Sequence, residues 1–250
     1  MNNARIVVTS SLIALTASMP LLAEEAAQEE ATKEKTTEHT WEATAELGFV
    51  KTSGNSETET LNAKFDTSTS YSNWKHSLHL ETLNSTSNDV SSAEKYLAEG
   101  QSDYAISDRT YALGVVTWEK DRFSGFDYQA SVALGLGYKV IQEADMELDF
   151  ELAPGYRVSE FEAGYNEEDT ILRAAENFSW KLSETSTLDQ MLSSEIGDSN
   201  TVTRFGISLT SQVAGALSMK VGYNIKHNSD VAAGADKTDR ETSVTLVYKI

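Results

Sequence analysis

Two groups of residues in this 250-residue chain have types and spacing that could do chemistry. The first is His227-Asn228-Ser229. On an extended strand, positions two apart share a face, so His227 and Ser229 would project together with Tyr223 and Ile225. An imidazole that takes the proton of a serine hydroxyl is half of an acyl-ester hydrolase. The other half is a third group that orients the base, and nothing nearby in sequence identifies it. The blander reading is an ordinary pair where a strand meets a polar loop. The second group is Glu147, Asp149 and Glu151, three carboxylates two residues apart. If they share one wet face they attract cations. Alternatively they balance inward Lys and Arg on neighbouring strands, because dense unpaired like charge is destabilising.

Other chemistry is excluded or unsupported. With no cysteine there is no disulfide, thiolate nucleophile or cysteine-bound metal. His76 and His79 are three apart, so on a strand they point to opposite faces and do not share a metal. No calcium loop, phosphate loop or dinucleotide fingerprint appears, and neither a cofactor nor a metal is expected. The chain carries 39 acidic and 20 basic side chains, a net charge of −19. That balance argues against nucleic acid, whose phosphates need basic patches.

The elements that would position these groups begin after the leader. Residues 1–23 combine Arg5, a mostly apolar run from Ile6 to Leu22, and Ala23 followed by Glu24 and Glu25. This reads as a secretory signal peptide. Its removal would take Arg5 and no acid, giving 19 − 39 = −20. Residues 24–40, EEAAQEEATKEKTTEHT, hold no aromatic or branched aliphatic side chain and read as an acidic, disordered periplasmic linker. From Trp41 the pattern has period two. Tyr128, Ala130, Val132, Leu134, Leu136, Tyr138 and Val140 alternate with small or polar residues. Met146, Leu148, Phe150, Leu152, Pro154, Tyr156 and Val158 alternate with Glu147, Asp149, Glu151, Ala153, Gly155 and Arg157.

The same reading predicts twelve strands near 41–52, 58–71, 74–84, 94–106, 109–119, 127–140, 146–158, 169–182, 187–197, 201–213, 216–228 and 239–250. Three are ambiguous: 94–106 is polar on both faces, 109–119 apolar on both, and in 187–197 Leu188, Leu192 and Ile196 also have helical spacing. Short links such as Ser72–Asn73 and Ala214–Gly215 alternate with longer polar ones such as Ser85–Ala93, Ser159–Glu168 and Ser229–Thr238. Aromatics cluster near segment ends. Too many charges sit at the other face for a dry core. Together these features predict an all-β, antiparallel transmembrane β-barrel over 41–250, with short periplasmic turns and longer extracellular loops.

The stretches Thr86-Ser-Asn-Asp-Val-Ser-Ser-Ala-Glu-Lys-Tyr96, Asp121-Arg-Phe-Ser-Gly125, Asn228-Ser-Asp and Thr238-Asp-Arg-Glu-Thr-Ser243 resemble the YdiY-like family, as does the opening Leu47-Gly-Phe … Ser53-Gly-Asn-Ser56. Its members are described as salt-induced outer-membrane proteins of unknown function. The resemblance spans nearly all of 41–250. It implies the barrel and the outer-membrane address, and it brings no catalytic residues. The chain departs at its end, closing on aliphatic Ile250 where barrels commonly place an aromatic.

The expected function is therefore non-enzymatic. In one version the barrel is a narrow channel favouring cations through Glu147, Asp149 and Glu151. In the other it is a structural envelope protein, closed by interlocking Lys139, Glu151, Arg157, Lys181 and Arg204. The alternative is an outer-leaflet lipid esterase or deacylase using His227 and Ser229. Expected partners are outer-membrane lipid and lipopolysaccharide; Asp89, Glu94, Glu167, Glu168, Asp169, Asp236 and Asp239, read as acids of the long loops, either bridge divalent cations to its phosphates or are equally just solvated surface. The barrel assembly machinery is expected too, and the protein is expected to be a monomer.

Overall fold

Alternation along a strand gives two unlike faces, and a sheet with one apolar face in lipid must close so that no backbone group is left unpaired. The computed structural model of the protein describes residues 39–52, 58–87, 90–121, 125–231 and 236–250. The stretch read as a signal peptide, and nearly all of that read as an acidic linker, lie outside them. Twelve antiparallel strands are described: β1 (Thr40–Thr52), β2 (Thr58–Tyr71), β3 (Trp74–Ser87), β4 (Val90–Ala105), β5 (Thr110–Asp121), β6 (Phe126–Gln142), β7 (Met146–Phe161), β8 (Asn166–Ser183), β9 (Ser186–Ile196), β10 (Thr201–Ala214), β11 (Leu217–Asn228) and β12 (Thr238–Lys249). Each pairs with its sequence neighbours, and β1 pairs with β12 to close the barrel. The closing seam sets Thr44 to Leu47 against Lys249 to Leu246.

The links at one end are 72–73, 106–109, 143–145, 184–185 and 215–216. Those at the other are 53–57, 88–89, 122–125, 162–165, 197–200 and 229–237. Strands run further into the second set than the apolar pattern predicts. β3 reaches Ser87, β7 reaches Phe161 and β8 starts at Asn166. Alternation marks only the belt in contact with hydrocarbon. Beyond it both faces meet water, the apolar signal fades, and the hydrogen-bond ladder continues.

This extension corrects one expectation. Of the acids assigned to the long loops, Glu167 and Glu168 lie within β8, Glu94, Asp169 and Asp239 stand in strands where the alternating pattern already began, and Asp169 is buried inside the barrel. Asp236 is exposed between β11 and β12, and Asp89 lies outside the described residues.

The ambiguous strands resolve by register. In β5, Tyr111, Leu113 and Val115 are buried on the inner face, while Val116 and Trp118 are exposed outside. In β9, Leu188, Leu192 and Ile196 all face outward. A spacing of four fits both a helical turn and a strand face, and only the pairing decides. Outside, Leu134, Leu136, Leu152, Val221 and Leu246 form the aliphatic belt. Trp41, Tyr71, Trp74, Tyr104, Tyr138, Trp180 and Tyr248 mark its short-turn edge, and Tyr96, Trp118 and Tyr156 the opposite edge. Such girdles suit the two membrane interfaces.

The wall turns a sharp corner between β6 and β7. A Cβ at Gly135 would lie 2.1 Å from the Leu152 carbonyl oxygen, and one at Gly155 would lie 2.4 Å from that of Val132. Pro154, which has no N–H to donate, sits where the β6–β7 pairing is interrupted, between Gly155 and Leu152. Inside the corner Tyr111, Leu113, Val115, Ala133 and Ala153 pack as a small apolar cluster.

Candidate functional site: the barrel lumen

Inward positions follow from alternation, but what they meet depends on the circumference. Glu119 on β5 reaches across the bore. Its two oxygens accept from Lys226 Nζ and Arg204 Nη2, each at 2.7 Å. With twelve strands in sequence order, β5 and β11 stand on opposite sides of the barrel. The pair is therefore a bar across the lumen near the long-link end.

Beside it, Arg157 on β7 is buried and contacts Asp169 on β8 at 2.8 Å and Glu195 on β9 at 3.6 Å. It also donates to the Asn200 carbonyl oxygen in the β9–β10 link. Gly197 in that link lets the backbone come close, since a Cβ there would sit 2.9 Å from Asp169 Oδ2. The rings of Phe126, Phe161 and Tyr165 pack at the same end, with centroids 4.5 and 4.3 Å apart.

Further toward the middle, Glu151 accepts from Arg173 Nη1 at 2.6 Å, Tyr111 Oη at 3.0 Å and Gln101 Nε2 at 2.9 Å. Glu46 on β1 accepts from Lys220 on β11 at 2.6 Å, and Glu81 lies between Lys64 at 3.1 Å and Lys95 at 3.5 Å. His79 Nδ1 lies 2.6 Å from Asp66. Among the described residues, two buried polar atoms lack a partner, Asn62 Oδ1 and Arg157 Nε.

What remains open is a cavity of about 790 Å³, lined by these groups and, toward the short-turn end, by Lys75, Asp103, Glu147, Asp149 and Asp189. The arrangement can hold and exclude charge. It offers polar walls, a mouth rich in carboxylates and a bar of paired charges.

The sequence-predicted residues divide. Glu147, Asp149 and Glu151 line one cavity, but Glu151 is committed to Arg173, while Glu147 and Asp149 make no ion pair among the described residues. Arg157 and Arg204 belong to separate clusters, and Lys181 is exposed by the short-turn end. The basic partners of the acids were expected on neighbouring strands. Glu151 meets Arg173 on the neighbouring β8, and Arg204 meets Glu119 five strands away. Sequence reading missed Glu119, Arg173, Glu195 and Lys226. Each sits at an inward position of its strand, so parity could have found them, but parity does not say which ones meet.

His227 and Ser229 are not joined. His227 Nδ1 lies 2.8 Å from Thr238 Oγ1, and the Ser229 hydroxyl donates to Asn200 Oδ1 at 3.1 Å while accepting from the Thr201 N–H. Strand pairing carries His227 toward β12 and Ser229 toward the 197–200 link. Among the described residues, no group of three histidine or acidic side chains is placed to hold a metal ion.

The family described as "Protein of unknown function, DUF481" matches residues 45–250. The chain belongs to that family. A relative within reach of the same match is the "Uncharacterized protein YdiY" of Escherichia coli (strain K12), 26% identical over 216 residues, which are 84% of this chain and 83% of the relative. Among solved structures, the NanC porin is 11% identical, with 83% of this chain and 97% of that one covered and a TM-score of 0.48. The translocator domain of the autotransporter NalP from Neisseria meningitidis is 12% identical, with 84% and 88% covered and a TM-score of 0.47.

Proposed function

We propose that this DUF481 member is a non-enzymatic outer-membrane channel of narrow bore that passes small ions and favours cations. The observation that carries the reading is the charged cavity of about 790 Å³, which runs from Glu147 and Asp149 past Arg204 and Lys226 of the bar to Asp121 and Asp239. A purely structural barrel of this size could fill its interior with side chains. Here the short-turn mouth keeps Glu147 and Asp149 beside open space. They raise local cation concentration, and the Glu119–Arg204–Lys226 bar sets the narrowest point. The outward apolar belt and its aromatic edges fit an outer-membrane bilayer, reached by export and insertion through the barrel assembly machinery. A link to salt stress, which the family resemblance implies, suits a constriction held by ion pairs, because screening shortens the reach of charge.

Planar-bilayer conductance of the refolded protein tests this. The expected result is a small, steady, cation-preferring current. Glu147→Gln with Asp149→Asn abolishes the preference. Glu119→Gln raises the conductance and shifts it toward anions, since Arg204 and Lys226 then face the bore without their counter-charge. A silent bilayer, with the heat-resistant folded form present on a gel, overturns the channel and leaves a closed structural barrel.

A further inference from the structure

The outer wall carries a polar pair in the middle of its apolar belt. Glu176 on β8 stands opposite Phe150 on β7 and Leu192 on β9. On its own strand, the outward positions on either side are Leu172, Ala174, Phe178 and Trp180. Both of its oxygens accept from Gln190 Nε2 on β9, at 3.2 and 3.1 Å. Other outward charges, such as Glu160, Glu168 and Arg240, lie at the long-link ends of their strands, where lipid gives way to water. Charge on a lipid-facing surface is destabilising in proportion to its depth, so Glu176 and Gln190 are costly where they stand unless something other than hydrocarbon covers them.

Glu176 lies on the edge of a groove of about 730 Å³ in the same outer face. Ala174, Ser194 and Thr203 line it with small side chains, and Phe150, Leu152 and Leu192 line it with large ones. Ser194 Oγ and Thr203 Oγ1 are 3.0 Å apart and bonded to each other. A bonded pair of hydroxyls has two hydrogens and uses one, so one donor is left over. The groove thus holds an anionic acceptor and a spare donor, a hollow of small residues and a ridge of large ones.

We propose that this groove is the contact surface for a second copy of the chain, in a two-fold dimer within the membrane. A two-fold axis sets the same patch against itself. The ridge of each copy enters the hollow of the other, and the spare hydroxyl donor of each serves the other's Glu176. Close approach through small side chains with polar groups bonded between them is how membrane segments associate when lipid supplies no hydrophobic drive. An acyl chain fills the hollow equally well but offers Glu176 no donor, which is why the occupant is protein. This dimer replaces the expected monomer and does not depend on whether the lumen conducts.

The absence of native cysteine makes the test clean. Single-cysteine variants in lipid nanodiscs or vesicles are oxidised and run unreduced. Ser194→Cys gives a disulfide-linked dimer, whereas Leu80→Cys, outward on β3 and six strands away on the far side of the barrel, does not. Ala174→Phe fills the hollow and removes the dimer seen by ultracentrifugation, while the heat-resistant band shows that the barrel still folds. Glu176→Gln, which retains an acceptor, keeps the dimer, and Glu176→Leu loses it. A wild-type protein monomeric at every protein-to-lipid ratio, with or without co-purified lipid, overturns the proposal. So does a dimer indifferent to Ala174→Phe, or linked as readily through Leu80→Cys.

Discussion

Arg157 shows what a single charged side chain costs and secures in this lumen. It is 2% exposed and lies among Asp169, Glu195 and the Asn200 carbonyl oxygen. Arg157→Met would leave two buried carboxylates without a cation. Breaking a buried pair by removing one partner costs about 3–5 kcal/mol, and a fall of that size in urea unfolding from vesicles is expected. Arg157→Lys should recover only part of it, because one ammonium cannot replace a planar fork facing three acceptors. Unfolding of Arg157→Met at the wild-type midpoint would mean the cluster is solvated. At this scale the sequence was half legible: the inward face of Arg157 followed from alternation with Tyr156 and Val158. Its partners did not, since Asp169 stands at the very edge of the apolar pattern and Glu195 lies two strands away.

At the scale of the strand, the β6–β7 corner is built from missing side chains. Gly137 faces Tyr111, and a Cβ there would sit 2.1 Å from the phenol ring. The ring in turn is held by its hydroxyl, which donates to Glu151. Gly137→Ala is therefore expected to destabilise the barrel by about 1–3 kcal/mol, as overpacking does. In a Tyr111→Ala background the same change should cost little, so the two substitutions are strongly non-additive. Equal costs of Gly137→Ala in both backgrounds, by equilibrium unfolding, would place the strain in the backbone instead. The sequence displayed Gly135, Gly137 and Gly155 on the small-residue face, with Pro154 on the opposite, apolar one. It gave no sign that Tyr111 would lie over one of them, because β5 is apolar on both sides and its facing was set only by pairing with β4 and β6.

For the whole molecule, closure is the least secured event. β1 pairs with β2 from Thr40 to Thr52 but with β12 only through Thr44 to Leu47, aided by the Ile250 N–H to the Ala43 carbonyl. Regions with few backbone partners open first. Hydrogen exchange should accordingly be fastest in β1 beyond Leu47 and in β12 before Leu246, and slowest in β6 to β8. Uniform protection around the barrel would contradict that picture. The bar from Glu119 to Arg204 and Lys226 works against opening by tying β5 on the far side to β10 and to β11, the strand next to the seam.

Sequence by itself determined the strand number, the strand order and which side chains face the lumen in most strands. The reason is local: a membrane demands one apolar face, and period two writes that demand into neighbouring residues. It equally placed Glu147, Asp149 and Glu151 on one wet face. Only the tertiary structure decided that Glu151 is taken by Arg173, that His227 and Ser229 turn to different neighbours, and that Glu119 spans the bore. Those facts depend on register and circumference, which bring together residues far apart along the chain, and no repeating pattern along a single strand encodes a distance across a barrel.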